Sequence, residues 1–172
     1  MHLVDFKLRI FILKILSVFA FFCMACADTD IATADPYEIA NMEALQHNKW
    51  IMAEEILIKI NKYRSDQSLG KIEFNKNSAT ALAVEHCIYM IENGKVSHEN
   101  FSKRNQALIE IGAVKVGENI AFGYTLSSSI VNAWINSPGH KKVLEGNYNH
   151  IGIGVVTSAN NKNYVTALFY LK

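Results

Sequence analysis

The chain has 172 residues, a length that suits one domain with a leader, and half of its residues are hydrophobic. Its formal net charge is only +1, so the composition gives no basis for a nucleic-acid partner. The apolar excess is concentrated at the N-terminus. These features predict a leader followed by a single globular domain.

The N-terminal segment has the parts of a secretory signal peptide. Three basic residues precede a short apolar run over residues 15–25. Ala-Cys-Ala at residues 25–27 satisfies the small-x-small cleavage rule. We therefore predict a signal peptide over residues 1–27, which directs the protein to the outside of the cell, the periplasm or the cell envelope. The run is short for a membrane-spanning helix.

Two other interpretations of the leader remain open. A lipidated Cys26 is less favoured, because the residues before it make a poor lipobox. An uncleaved leader would act as a membrane anchor, and these two cases are the only membrane contact that we expect. Cleavage would remove three basic residues and one acidic residue, which changes the net charge from +1 to −1.

The cleaved chain would keep a single cysteine. Cys23 and Cys26 belong to the leader, so Cys87 has no partner for an internal disulfide. A domain of this size buries a sufficient core without cross-links. We therefore expect a monomer that is stabilised by packing, with Cys87 as a small core residue.

The first elements of the domain follow a polar stretch. Residues 28–48 contain Pro36 and lack a long apolar period, which predicts a linker. Asn48 can cap a helix over residues 49–63, whose apolar residues fall on one face. A short extended piece over residues 71–74 comes next.

Two further helices are predicted before the motif-rich half of the chain. Ser78 can cap a helix over residues 78–93, on which His86 is best explained as a hydrogen-bonded core or rim histidine. A short helix over residues 101–111 follows, and its basic pair Lys103-Arg104 is assigned to the surface.

The remaining elements predict the fold class. Residues 114–122 are extended in part, and Ser127 or Ser128 caps the next helix. A short helix begins after Ser137, a good N-cap, with proline at its first position. The chain ends in a hairpin whose last strand is apolar on both faces and must be covered on both sides. Helices before a doubly covered sheet predict an α+β fold, a three-layer α-β-α sandwich.

Three motifs in this half resemble a known family. GENIAFGY (residues 117–124), WINSPGHKKVL (134–144) and NHIGIGV (149–155) occur in the order typical of the CAP superfamily, which includes cysteine-rich secretory, antigen 5 and pathogenesis-related proteins. They are most similar to its bacterial SCP-domain branch. The resemblance begins near Ile56 and implies a CAP/SCP domain over residues 49–172, with a mostly antiparallel central sheet.

The resemblance also implies a cleft built around two histidines and two acids. His98, Glu118 and His140 match three of these positions. The fourth is Ser137, with Asn136 beside it, so the second acid is missing. Any mechanism that needs two carboxylates is therefore in doubt.

Two neutral imidazoles and a carboxylate from separate segments can hold Zn²⁺ or another divalent cation. His140 follows a predicted helix N-terminus, whose partial positive charge favours the neutral ring that binds a metal. The candidate metal ligands, which are also the candidates for any catalysis, are His98, Glu118 and His140. His150, near the hairpin, is a further possible ligand but is more simply a rim histidine.

Three functions are compatible with these residues, in the following order. The first is an exported binding module whose cleft binds a divalent cation weakly and an extracellular lipid, cell-wall polysaccharide or protein. The second is a structural interaction domain in which Glu118 ties loops together through hydrogen bonds. The third is a metal-assisted hydrolase with Glu118 as general base. A fold does not imply catalysis, so the enzyme ranks last.

Overall fold

The computed structural model describes residues 42–172, so the predicted signal peptide and most of the predicted linker lie outside the described residues. Residues 42–46 are helical. The elements that follow, in chain order, are α1 (Trp50–Asp66), β1 (Glu73–Phe74), α2 (Ser78–Glu92), α3 (Phe101–Glu110), β2 (Lys115–Phe122), α4 (Ser127–Asn136), α5 (Pro138–Leu144), β3 (His150–Thr157) and β4 (Asn163–Leu171). From residue 42 onwards, the chain has no helix that is long and apolar enough to cross a membrane.

The four strands form one sheet in the order β1-β3-β4-β2. The long pairs, β3 with β4 and β2 with β4, are antiparallel, while the two-residue pair of β1 with β3 is parallel. This confirms the predicted mostly antiparallel sheet. Strand β4 is buried from Asn163 to Tyr170, as its apolar sequence predicted, and β2 is left as an outer strand.

Helices cover both faces of the sheet, which confirms the three-layer sandwich. On one face, α1, α4 and α5 pack on the side chains of Ile151, Ile153 and Phe169. On the other face, α2 and α3 pack on Leu168 and Tyr170. Buried apolar residues therefore lie on each side of the sheet.

Two glycines of β3 determine how closely α2 approaches the sheet. A Cβ at Gly152 would overlap the backbone of Ala79, and a Cβ at Gly154 would overlap the backbone of Ala83. The close approach predicted from the glycine alternation is confirmed. Helix α2 thus lies directly on the sheet, and the loop that follows it contacts β2.

Three predicted helix caps are wrong. Asn48 does not cap α1: its side chain donates to Ile153 O (3.1 Å) and accepts from Val155 N (2.8 Å). These bonds tie the chain before α1 to β3, so this end of the predicted linker is packed on the domain. Ser78 and Ser127 are the first residues of their helices rather than caps. Ser127 instead donates from its hydroxyl to Glu55 Oε2 (2.8 Å).

The end of α1 anchors the end of α5. Arg64 is buried, and its guanidinium donates to the carbonyl oxygens of Gly70 (2.8 Å), Leu144 (2.7 Å) and Gly146 (2.9 Å). Two of these carbonyls lie at the C-terminal end of α5. Arg64 therefore positions the short helix that carries His140.

Candidate functional site

A cleft of about 500 Å³ lies beside the outer strand β2. Its walls come from the loop after α2, from the end of β2 and the turn that follows, and from α4 and the start of α5. The lining residues are Val96, Ser97, His98, Ile120, Ala121, Phe122, Tyr124, Ala133, Trp134, Ser137 and His140. The volume falls in the range of small-molecule sites.

His98 lies on the loop between α2 and α3, and its side chain is 58% exposed. Its Nδ1 is 2.7 Å from Glu118 Oε1. An ionised carboxylate can only accept, so Nδ1 carries the hydrogen of this bond. In the neutral ring, Nε2 is then the unprotonated nitrogen, which is the form that binds a cation.

Glu118 lies on β2, but it does not line the cleft. Its side chain is only 2% exposed, and its second oxygen, Oε2, accepts from Arg104 Nε at 2.7 Å. The terminal Nη2 of Arg104 is 2.6 Å from the same oxygen. Both carboxylate oxygens are therefore engaged, one by His98 and one by Arg104.

Sequence reasoning missed Arg104, and its assignment to the surface is wrong. The side chain is 7% exposed, because helix α3 packs on β2 along the face that carries Arg104. Lys103, its neighbour in the predicted basic pair, is exposed. The helical period places Arg104 four residues before the buried Leu108, and this spacing could have indicated an inward position.

His140 is in the first turn of α5 and contributes the second imidazole of the cleft. Burial, and then the charge of His98, lower the pKa of His140 below its ordinary value. The neutral form is therefore favoured, as predicted. Its main cause is desolvation rather than the charge of the helix N-terminus. Nδ1 of the ring is 2.8 Å from Ser137 Oγ.

Ser137 has the N-cap position of α5, as predicted, but its hydroxyl makes no cap bond. It contacts the ring of His140 instead. The residue at the missing acid position thus provides the polar partner of the second histidine. Each cleft imidazole consequently has its Nδ1 beside a side-chain oxygen, of Glu118 for His98 and of Ser137 for His140.

The rest of the cleft wall is largely apolar. Trp134 donates from Nε1 to Ile120 O at 2.9 Å, which satisfies a carbonyl on the outer edge of β2. Val96, Phe122 and Tyr124 each keep more than a third of their surface exposed at the rim. The lining contains no Asp, Glu, Lys or Arg, so the two imidazoles are its only titratable groups apart from the phenol of Tyr124.

Three other residues considered from the sequence lie away from the cleft lining. His150 stacks on Tyr170 with ring centroids 5.1 Å apart, and its Nδ1 is 2.7 Å from Asn149 Oδ1. His86 is buried and donates from Nε2 to Ser97 O at 2.8 Å, as a core histidine would. Cys87 is fully buried, and burial raises the pKa of its thiol to about 12, which confirms a packing role.

The buried His86 predicts a pH dependence of stability. Desolvation lowers the pKa of His86, so below an ordinary histidine pKa of about 6.5 the unfolded chain binds a proton that the folded chain rejects. The free energy of unfolding should therefore fall as the pH drops through this range. We expect His86→Gln to remove part of that slope, at most about 1.4 kcal/mol per pH unit for one group.

Urea unfolding of the wild type and of His86→Gln at several pH values checks this prediction. The half-buried His150 provides a matched control, because His150→Gln also removes one imidazole but should keep the slope that comes from the buried His86. Parallel pH profiles for the wild type and His86→Gln would contradict it.

The residues of the cleft fit a cation only in part. Among residues 42–172, no group of three or more His, Cys, Asp or Glu side chains is arranged to hold a metal ion. Zinc sites in proteins have three or four protein ligands. The two imidazoles could supply two nitrogen donors, and water or a bound ligand would have to complete the coordination. Such a donor set predicts weak binding.

Comparisons with known proteins agree on the family. A model of the cysteine-rich secretory protein family, CAP, matches residues 57–169. The uncharacterized membrane protein YlbC of Bacillus subtilis is 32% identical over 140 residues, which are 74% of this chain. The chain spans only 40% of the length of that relative.

Solved structures give the same result for the fold. An outer surface protein of Borrelia burgdorferi superposes with a TM-score of 0.63 at 24% identity, over 70% of this chain and 92% of its own. An extracellular SCP-domain protein of Bacillus anthracis gives 0.60 at 25% identity, over 70% of this chain and 40% of its own. A cysteine-rich secretory protein of Staphylococcus aureus gives a TM-score of 0.62 at 14% identity, over 74% of this chain and 40% of its own.

Proposed function

Because the chain belongs to the CAP, or cysteine-rich secretory protein, family, we propose that it is an exported binding module whose cleft holds a divalent cation through His98 and His140. Export is supported by the Ala-Cys-Ala cleavage signal at residues 25–27. It is supported also by two structural neighbours, one described as an outer surface protein and one as extracellular.

The observation that carries this proposal is that the two imidazole rings are held in the same way. Both rings line one cleft, and in each ring Nδ1 contacts a side-chain oxygen. Within residues 42–172, neither Nε2 has a hydrogen-bond partner. Histidines that bind metals commonly have this arrangement, in which one nitrogen is oriented by an oxygen and the other binds.

The cleft walls limit the chemistry of the ligand. Apolar and aromatic side chains at Val96, Phe122 and Tyr124 would contact an apolar portion of the ligand, and the imidazoles with their cation would bind a polar group. The lining has no carboxylate to hold a cationic ligand. We therefore propose an extracellular lipid, cell-wall polysaccharide or protein segment that presents an uncharged or anionic polar group.

A structural role is the second candidate, and one observation favours it. Glu118 bonds to His98 and Arg104 in a buried network, as expected of a group that ties loops to the sheet. The hydrolase is less favoured, because a general base needs a free oxygen beside the substrate. Glu118 has both oxygens engaged and does not line the cleft.

Calorimetric titration with Zn²⁺ tests the proposal. We expect saturable binding to one site in the purified protein, and loss of that binding in His98→Ala/His140→Ala. The half-buried His150, which lies away from the cleft lining, provides the control, since His150→Ala should bind zinc like the wild type. Absence of zinc binding in the wild type, together with a less stable double variant, would overturn the proposal and favour the structural role.

A further inference from the structure

We infer that Arg104 is a positioning residue of the cleft: it holds the inner oxygen of Glu118, so that the outer oxygen orients His98 for binding. This inference deepens the proposed function and rests on it. Arg104 does not line the cleft, so it would act on a bound cation only through Glu118 and His98.

The first argument is electrostatic. The Glu118 and Arg104 side chains are 2% and 7% exposed, so each charge has lost most of its water. A buried carboxylate is costly unless an opposite charge and hydrogen bonds compensate it. The compensation has to be a permanent positive charge next to the carboxylate. Arg104 supplies it, because a guanidinium stays protonated.

The second argument is the division of the two oxygens. Nε and Nη2 of Arg104 both contact Oε2 of Glu118, at 2.7 and 2.6 Å. Oε1 is left to accept from Nδ1 of His98. The carboxylate therefore cannot turn without breaking contacts at both ends, which gives the His98 ring one orientation and one neutral tautomer.

The third argument concerns the loop that carries His98. The remaining terminal nitrogen of Arg104, Nη1, donates to Glu99 O at 2.8 Å. Glu99 directly follows His98, so one guanidinium holds both the loop backbone and the carboxylate that the loop histidine contacts. Removing it would release the loop and Glu118 together.

Arg104→Met tests the inference, since methionine keeps much of the length and removes the charge and the donors. We expect zinc affinity to fall about 10-fold or more, the usual effect of removing a residue that orients a metal ligand. Arg104→Lys should restore part of the affinity, because it keeps the charge without the planar fork. Lys103→Met, an exposed change of the same charge on the same helix, is the matched control and should bind like the wild type.

Histidine nitrogen NMR gives a readout that does not depend on zinc. At about pH 8, where ordinary histidines are neutral, we expect His98 of the wild type to carry its hydrogen on Nδ1. In Arg104→Met this single tautomer should be lost, while His140 is unchanged and reports that the fold is kept. If Arg104→Met does not fold, Arg104→Lys is measured in the same way and should show a partial loss.

The outcomes separate the inference from the proposed function. A folded Arg104→Met with the zinc affinity and the His98 tautomer of the wild type would overturn the role of Arg104. A wild type that does not bind zinc would overturn the proposed cation site, and the tautomer comparison would still decide whether Arg104 orients His98.

Discussion

Replacing Arg64 with methionine is expected to lower the free energy of unfolding by about 4 kcal/mol, because three carbonyl oxygens lose the same charged donor at once. The guanidinium donates to Gly70 O, Leu144 O and Gly146 O at 2.7–2.9 Å, and the residue is 2% exposed. Denaturant unfolding measures the change. The structural reason is that this one side chain bonds the end of α1 to the end of α5.

The same helix offers a matched control. Lys62 forms an exposed ion pair with Asp66 at 2.9 Å, with side chains 75% and 55% exposed. Such pairs contribute little, so Lys62→Met should change stability by less than about 0.5 kcal/mol. Equal effects of Arg64→Met and Lys62→Met would contradict the anchoring role of Arg64.

Glu118→Gln is expected to destabilise the protein by about 3 kcal/mol or more, because it leaves the buried Arg104 guanidinium without its counter-charge. Thermal or denaturant unfolding checks this value. Glu92→Gln, at an exposed position on α2, is the control and should be nearly neutral. A stability of Glu118→Gln equal to that of the wild type would show that the pair is not needed.

A double-variant cycle measures the interaction energy between Arg104 and Glu118. Replacing Arg104 and Glu118 together by methionine and leucine removes both charges, so the loss of stability should be smaller than the sum of the two single losses.

The expected destabilisation also bears on catalysis. Loss of any activity in Glu118→Gln alone could follow from a disturbed fold, so it would not identify Glu118 as a general base.

The sequence predicted the layers and the central sheet well, for identifiable reasons. Strand β4 is apolar at nearly every position, and only a strand that is covered on both faces accommodates that pattern. Gly152 and Gly154 alternate with apolar residues, and their close contact with α2 follows from the absent Cβ. These features are local in the chain, so periodicity is sufficient to find them.

The contacts that shape the site depend on partners distant in the sequence, which periodicity does not predict. The basic pair Lys103-Arg104 has the composition of a surface position, but the partner of Arg104, Glu118, lies 14 residues away on a strand. The role of Arg64 has no local sequence signal, since its partners are carbonyl oxygens, which every residue has. Asn48 has the residue type of a helix cap, yet the nearby β3 offers it two backbone bonds.

Nitrogen NMR of the histidines with and without Zn²⁺ tests the central claim most directly. The account predicts that Zn²⁺ shifts the Nε2 signals of His98 and His140, and leaves those of the buried His86 and of His150, outside the cleft lining, in place. Zinc-dependent shifts at His86 or His150, or no shift at any histidine, would contradict a cation site formed by the two cleft imidazoles.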